Sequence, residues 1–190
     1  MFTLEKGKNK KIIDTKHKNP YTPMSIIPTL DTKRERNVIL STVRKPEVVH
    51  GSYAFNRQVE YPIYQKRPFT DIDIKSPTNR QTALDIERKL DRYANMNNYY
   101  VTKLEHDGGT TYRVHSRSRN DVVADVGLKQ QRIPTRTIDK VPYETISHRE
   151  KEIAKLLKTP SAEYRREKDR RMMGYIKRYK KLKRRNKIWE

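Results

Sequence analysis

The sequence predicts an α/β (α+β) fold: a mixed sheet flanked by helices, with a basic N-terminal arm and basic C-terminal helices. Three stretches carry that reading. Asp71-Ile-Asp73-Ile74 alternates acid and isoleucine. In a strand this puts both carboxylates on one face and both isoleucines on the other. Ala83, Ile86, Leu90 and Tyr93 recur at helical spacing, so a helix follows that strand and lies on the sheet. Residues 99–104 and 110–115 are rich in β-branched and aromatic side chains and flank Asp107-Gly-Gly109, a hairpin signal.

The remaining elements follow in chain order. Residues 1–30 read as a basic extended arm, with Lys6, Lys8, Lys10, Lys11, Lys16 and Lys18 followed by Pro20, Pro23 and Pro28. A core over 31–140 begins with a helix through about Arg44, where Val38, Leu40 and Val43 supply the apolar side and Pro46 ends it. A short strand runs to His50, and a helix occupies about 53–60. Tyr61-Pro-Ile-Tyr-Gln-Lys-Arg-Pro68 links it to the Asp71 strand. Ser76-Pro-Thr-Asn79 closes that strand and caps the next helix. Ser116-Arg-Ser-Arg-Asn120 is a basic turn into an apolar strand, Asp121-Val-Val-Ala-Asp125-Val-Gly-Leu128, and 130–142 reads as a basic connection. The region 141–190 is helical and basic. Ile146, Ile153, Leu156 and Leu157 mark one helix, and Ser161 caps a last helix carrying Met172, Ile176, Tyr179 and Leu182.

Composition bounds the function. The 190 residues include 44 Lys and Arg against 23 Asp and Glu, a formal charge of +21. Such an excess points to nucleic acid or another polyanion as partner. With 33% hydrophobic residues, part of the chain is expected outside a packed core. The absence of cysteine excludes a disulfide framework and a thiolate metal site. His106, His115 and His148 show no metal-ligand spacing. No apolar run is long enough for a membrane helix, and no apolar signal segment opens the chain. The expected location is the cytoplasm, or a virion if the role is structural. No Gly-x-x-x-x-Gly-Lys loop and no Gly-x-Ser-x-Gly elbow is present, so neither a P-loop NTPase nor a serine hydrolase is indicated.

The chemistry gathers around Asp71 and Asp73. Two ionised carboxylates so close raise each other's pKa unless a cation sits between them. Hard oxygen ligands completed by water and substrate phosphates are the usual setting for Mg²⁺. Upstream, Gly51-Ser52 follows a short strand and precedes a helix, where free N–H groups can meet an anion. Downstream, an acid inside the 121–128 strand is costly to bury without a partner. Asp125 sits deeper in that run than Asp121, which competes for the same role.

Gly-Ser, then Asp-x-Asp, then a lone Asp on a later strand resembles the nucleotidyltransferase superfamily that includes DNA polymerase beta and the poly(A) polymerases. That resemblance implies that Asp71, Asp73 and Asp125 hold Mg²⁺ or Mn²⁺ and are catalytic. It also implies that Gly51, Ser52 and Arg67 contact the phosphates of a nucleoside triphosphate substrate. Gly51-Ser-x-Ala54 with Arg67-x-x-Thr-Asp71-Ile-Asp73-Ile74 is similar to the pattern of AbiEii-type nucleotidyltransferases, toxins with phage relatives. Ala154-Lys155-Leu156 and Arg165-Arg-Glu-Lys168-Asp169 resemble that family's later motifs, which implies that Lys155, Lys168 and Asp169 line the nucleotide cleft. Gly51-Ser-Tyr-Ala-Phe-Asn56 also resembles the poly(A) polymerases of large DNA viruses.

A separate signal lies at the end of the chain. Lys177, Arg178, Lys180, Lys181, Lys183, Arg184, Arg185 and Lys187 interleave with Tyr179 and Leu182, as expected of a nucleic-acid-binding helix. Three functions are therefore open: an enzyme transferring a nucleotide to a hydroxyl of nucleic acid or protein, a structural or assembly component of a virion or nucleoprotein particle on the same fold, and a simple nucleic-acid-binding module.

Overall fold

The computed structural model describes residues 13–14, 32–59, 71–106, 109–159, 163 and 165–186. Most of the 1–30 arm, Arg67 and the link around it, Ser161 and Lys187 lie outside these. Among the described residues, five helices and eight strands form a mixed α/β fold. The strands are β1 (Ile13–Asp14), β2 (Val48–Val49), β3 (Ile72–Ser76), β4 (Tyr99–His106), β5 (Gly109–Ser116), β6 (Asp121–Leu128), β7 (Thr135–Ile138) and β8 (Val141–Glu144). The helices are α1 (Thr32–Thr42), α2 (Gly51–Gln58), α3 (Asn79–Ala94), α4 (Ile146–Leu156) and α5 (Arg166–Asn186). One sheet runs in the order β1-β4-β5-β6-β3-β2-β8-β7. Its pairs are antiparallel except β3 with β6 and β2 with β8.

The alternation of β3 sets the two faces of the sheet. Ile72 and Ile74 are fully buried and join Val101, Val114, Ala124 and Val126 from neighbouring strands in one apolar layer. α1 and α3 cover it with Val38, Ile39, Ala83, Ile86 and Leu90. Tyr93 departs from the expected stripe: at 54% exposure it stands beyond the edge of the layer. A second cluster of Phe55, Ile153, Met172 and Ile176 ties α2, α4 and α5 together, and Tyr179 meets Phe55 edge-on at 6.4 Å.

Buried polar groups fix the junctions. Ser76, at the end of β3, shares a 2.8 Å hydrogen bond with Thr82 and accepts one from the Thr78 amide, turning the chain into α3. Glu35 on α1 is buried and accepts hydrogen bonds from the Tyr99 hydroxyl (2.8 Å) and from Arg119, whose Nε reaches Asp121 at 3.0 Å. Asp121 therefore belongs to this network with Arg119 and Glu35.

The expected connection over 130–142 is corrected. It contains most of the β7–β8 hairpin, closed by Asp139 and Lys140, both at positive φ (50° and 66°). A two-residue loop with both residues left-handed matches the twist of the strands. Asp-Lys lacks the glycine that would have announced it. Arg57 holds this loop through Asp139 at 2.6 Å.

Candidate active site

β3 and β6 run parallel with Asp73 opposite Asp125. This register brings two acids onto the face of the sheet turned away from α1 and α3, and Asp71 lies two residues earlier on the same face. Ligand oxygens of Asp71, Asp73 and Asp125 all fall within 4.8 Å of one another. Register joins Asp73 to Asp125, and Asp71 joins them from the residue just before β3.

Burial and mutual repulsion act on them. Burial pushes the Asp73 carboxyl above its usual range, opposed by the charges of Lys168, Arg149, Lys75 and Arg165. Asp125 is raised to about 6, by burial first and then by Asp73 and Asp71, against the pull of Arg113. Arg113 stands opposite Asp125 on β5 and forms an ion pair at 3.1 Å. Three carboxylates gathered within 4.8 Å form an all-oxygen donor set that fits a hard divalent cation such as Mg²⁺.

α2 begins against this cluster. The His50 amide donates to the Asp73 carbonyl at 2.9 Å, and Gly51 follows at φ +74°. Ser52 occupies the first turn of α2, half-buried. The start of the helix therefore points its positive end toward the acids. His50 is half-buried, and desolvation of its ring with nearby Lys75, Arg149 and Arg165 lowers its pKa to about 3. It is a neutral imidazole at ordinary pH.

Beyond Asp73 the same strand face carries Lys75. Its Nζ occupies the space a side chain at Gly127 would need, for a Cβ there would lie 2.8 Å away. Lys75 opens onto a cleft of about 370 Å³ whose lining includes His50, Lys129, Arg149, Lys155 and Arg165 as well as Glu144 and Glu152. Glu144 pairs with His148 at 2.8 Å. Five cations against two acids suit this cleft to a polyphosphate. A larger cavity, about 580 Å³, lies between α1 and α3 and touches none of the triad.

The other expected site residues divide. Lys155 lines the cleft, and Lys168 is exposed on α5 with its charge acting on Asp73. Asp169 is buried, 1% exposed, and grips Arg165 through two hydrogen bonds of 2.8 and 3.2 Å. Arg165, which it holds, lines the cleft. On α5, Lys177, Arg178, Lys181, Lys183, Arg184 and Arg185 are exposed. Lys180 is drawn aside into an ion pair with Glu150 of α4. Sequence reasoning did not single out Lys75, Arg113, Arg149 or Arg165 as site residues. Lys75 was within reach, being two residues past Asp73 on the same strand face. Arg113 required the β5–β6 register.

No family model and no curated protein matches this sequence. Among solved structures, the chain is similar to the Megavirus polyadenylate synthase, with a TM-score of 0.61 and 21% identity over 78% of this chain and 32% of that one. The chain thus spans about a third of the length of that protein. The likeness shows the fold: it is nucleotidyltransferase-like.

Proposed function

We propose that this protein is a metal-dependent nucleotidyltransferase that moves a nucleotide from a nucleoside triphosphate to an acceptor hydroxyl. The carrying observation is the convergence of Asp71, Asp73 and Asp125 within 4.8 Å beside the start of α2. Asp71, Asp73 and Asp125 would hold Mg²⁺ or Mn²⁺, which when bound supplies charge neutralisation at the phosphates and activates the attacking hydroxyl. The chain's own residues then orient the substrate. Gly51 and Ser52 offer helix-start donors to the triphosphate, while Lys75, Lys155 and Arg165 receive its distal phosphates in the cleft. Lys168 adds positive potential above Asp73. An oxygen–phosphorus bond forms at the α-phosphate as the bond to pyrophosphate breaks, and the hydroxyl proton passes to water.

The resemblance to AbiEii-type enzymes in the Lys155 and Lys168 segments and the fold shared with a polyadenylate synthase both support this reading. A second reading has its own observation: the exposed cations of α5 equip the same fold to hold nucleic acid as a structural component of a virion or other nucleoprotein particle. Label transfer separates the two. With an α-labelled nucleoside triphosphate and Mg²⁺ or Mn²⁺, the parent should label an acceptor, and Asp125→Asn should lose that activity while remaining folded. Equal transfer by Asp125→Asn would overturn the assignment.

A further inference from the structure

The face of the sheet that carries the triad continues past Asp125 onto β5 and β4. Thr102 stands opposite Arg113, and Arg113 opposite Asp125. One step along, Tyr100 pairs with His115. Their rings stack at 4.8 Å with planes 13° apart, and Thr102 fixes the imidazole through a 2.8 Å hydrogen bond. Arg117 lays its guanidinium 4.6 Å from the centre of the Tyr100 ring. The result is a column of three π surfaces that includes an exposed arginine. One strand spacing and two residues separate His115 from Asp125, about 8 Å.

The turn presenting Arg117 is braced from beneath. Asn98 is 1% exposed; its carbonyl accepts from the Arg117 amide at 2.8 Å, and its side-chain oxygen accepts from the Ser118 amide at 3.1 Å. The Asn98 amide is in turn held by Asp91 of α3 at 2.8 Å. A cross-strand aromatic pair alone would account for Tyr100 and His115 as hairpin stabilisers. It requires neither an exposed guanidinium on the stack nor a buried amide side chain anchoring the turn that presents it.

We propose that this column is the landing site of a single-stranded nucleic acid, the acceptor whose terminus is presented to the triad. Aromatic rings and guanidinium planes are the surfaces on which unpaired bases stack, tolerant of sequence. Arg113, 39% exposed between the column and Asp125, lies where a backbone phosphate would pass. At about 3.4 Å per stacked base, the column sits roughly two nucleotides from the triad. The cationic cleft lies beyond Lys75, on the other side of the acids, so the two substrates approach from opposite sides. The acceptor role rests on the nucleotidyltransferase reading; the binding itself does not.

The test is anisotropy of a fluorescein-labelled 12-mer of oligouridine with the full chain, in 0.3 M salt to screen the contacts of α5. Oligothymidine and duplex RNA are the comparison probes. Arg117→Lys keeps the charge and removes the plane, and should weaken single-strand binding about fivefold or more. Tyr100→Ala should do the same, and Tyr100→Phe should stay within about twofold of the parent. All three should keep the parent's Mg²⁺-induced rise in melting temperature. Stronger binding of oligouridine than of oligothymidine would identify the strand as RNA, and the reverse as DNA. Parent-like affinity in Arg117→Lys would overturn the proposal, and so would equal losses with duplex RNA. Arg117→Lys changes an exposed side chain and decides alone if Tyr100→Ala does not fold. Because no turnover is read, an absence of nucleotide transfer would sink the enzymatic reading and leave this one standing.

Discussion

Gly51 lies so close to Asp73 that a Cβ at position 51 would come within 2.3 Å of the Asp73 carboxylate oxygen. The backbone there is also at φ +74°, a conformation side chains disfavour. One glycine therefore lets α2 start directly against the acid. Gly51→Ala should cost about 1–3 kcal/mol from backbone strain alone. The clash adds a second penalty by displacing Asp73. Urea denaturation and the metal-induced melting shift should both register it; full retention of both would mean that α2 does not rest on Asp73.

The triad should bind metal only when folded, so Mg²⁺ or Mn²⁺ raises the melting temperature by mass action. Asp71→Asn with Asp73→Asn should abolish the rise. A double variant that responds like the parent would place the metal elsewhere.

Two groups give opposite pH signatures. Asp125 is raised to about 6. Its contribution to the stability of the metal-free protein is present below the unfolded carboxylate value and lost as pH rises through 6. Metal binding needs the ionised form, so affinity should be about tenfold weaker at pH 5 than at pH 7.5. His50 is depressed to about 3, so its contribution is present above the unfolded imidazole value of 6.5 and falls away as pH drops toward 3. His50→Gln should flatten the acid side of the urea-midpoint profile without removing the pH dependence of metal affinity.

Glu35 supports the fold on the opposite face of the sheet from the acidic triad. Removing it by Glu35→Ala leaves Arg119 and the Tyr99 hydroxyl without their buried acceptor, an expected loss of about 3 kcal/mol. The metal-induced melting shift should survive at temperatures where the variant is folded.

Neutralising Lys177, Arg178, Lys181, Lys183, Arg184 and Arg185 to Gln should weaken nucleic-acid binding severalfold at 0.1 M salt and lower the slope of affinity against salt. Substitution is the better probe than truncation at residue 177, which would also remove the contact of Tyr179 with Phe55 and the ion pair of Lys180 with Glu150. An unchanged salt slope would assign the run to some other partner.

The candidate site was legible where its signal is local. Alternation in Asp71-Ile-Asp73-Ile74 fixes which side chains share a face, and the Asp125 strand declares itself by an acid among apolar residues. The nucleotidyltransferase-like fold followed from the order of these motifs. What escaped was set partly by long-range register and partly by local side-chain and turn geometry. Arg113 reaches Asp125 only because β5 pairs with β6 at that step, and Arg165 enters the cleft because Asp169 holds it from the side. The β7–β8 hairpin was hidden by a turn whose two residues adopt positive φ without glycine.

Transfer itself tests the central claim most directly. Each of the four α-labelled nucleoside triphosphates would be incubated with Mg²⁺ or Mn²⁺, the protein and single-stranded RNA, with label in the acceptor and release of pyrophosphate measured together. The account predicts matched label and pyrophosphate for at least one nucleotide, both abolished by Asp71→Asn with Asp73→Asn. Metal binding by the parent without transfer from any of the four, or equal transfer by the double variant, would contradict it.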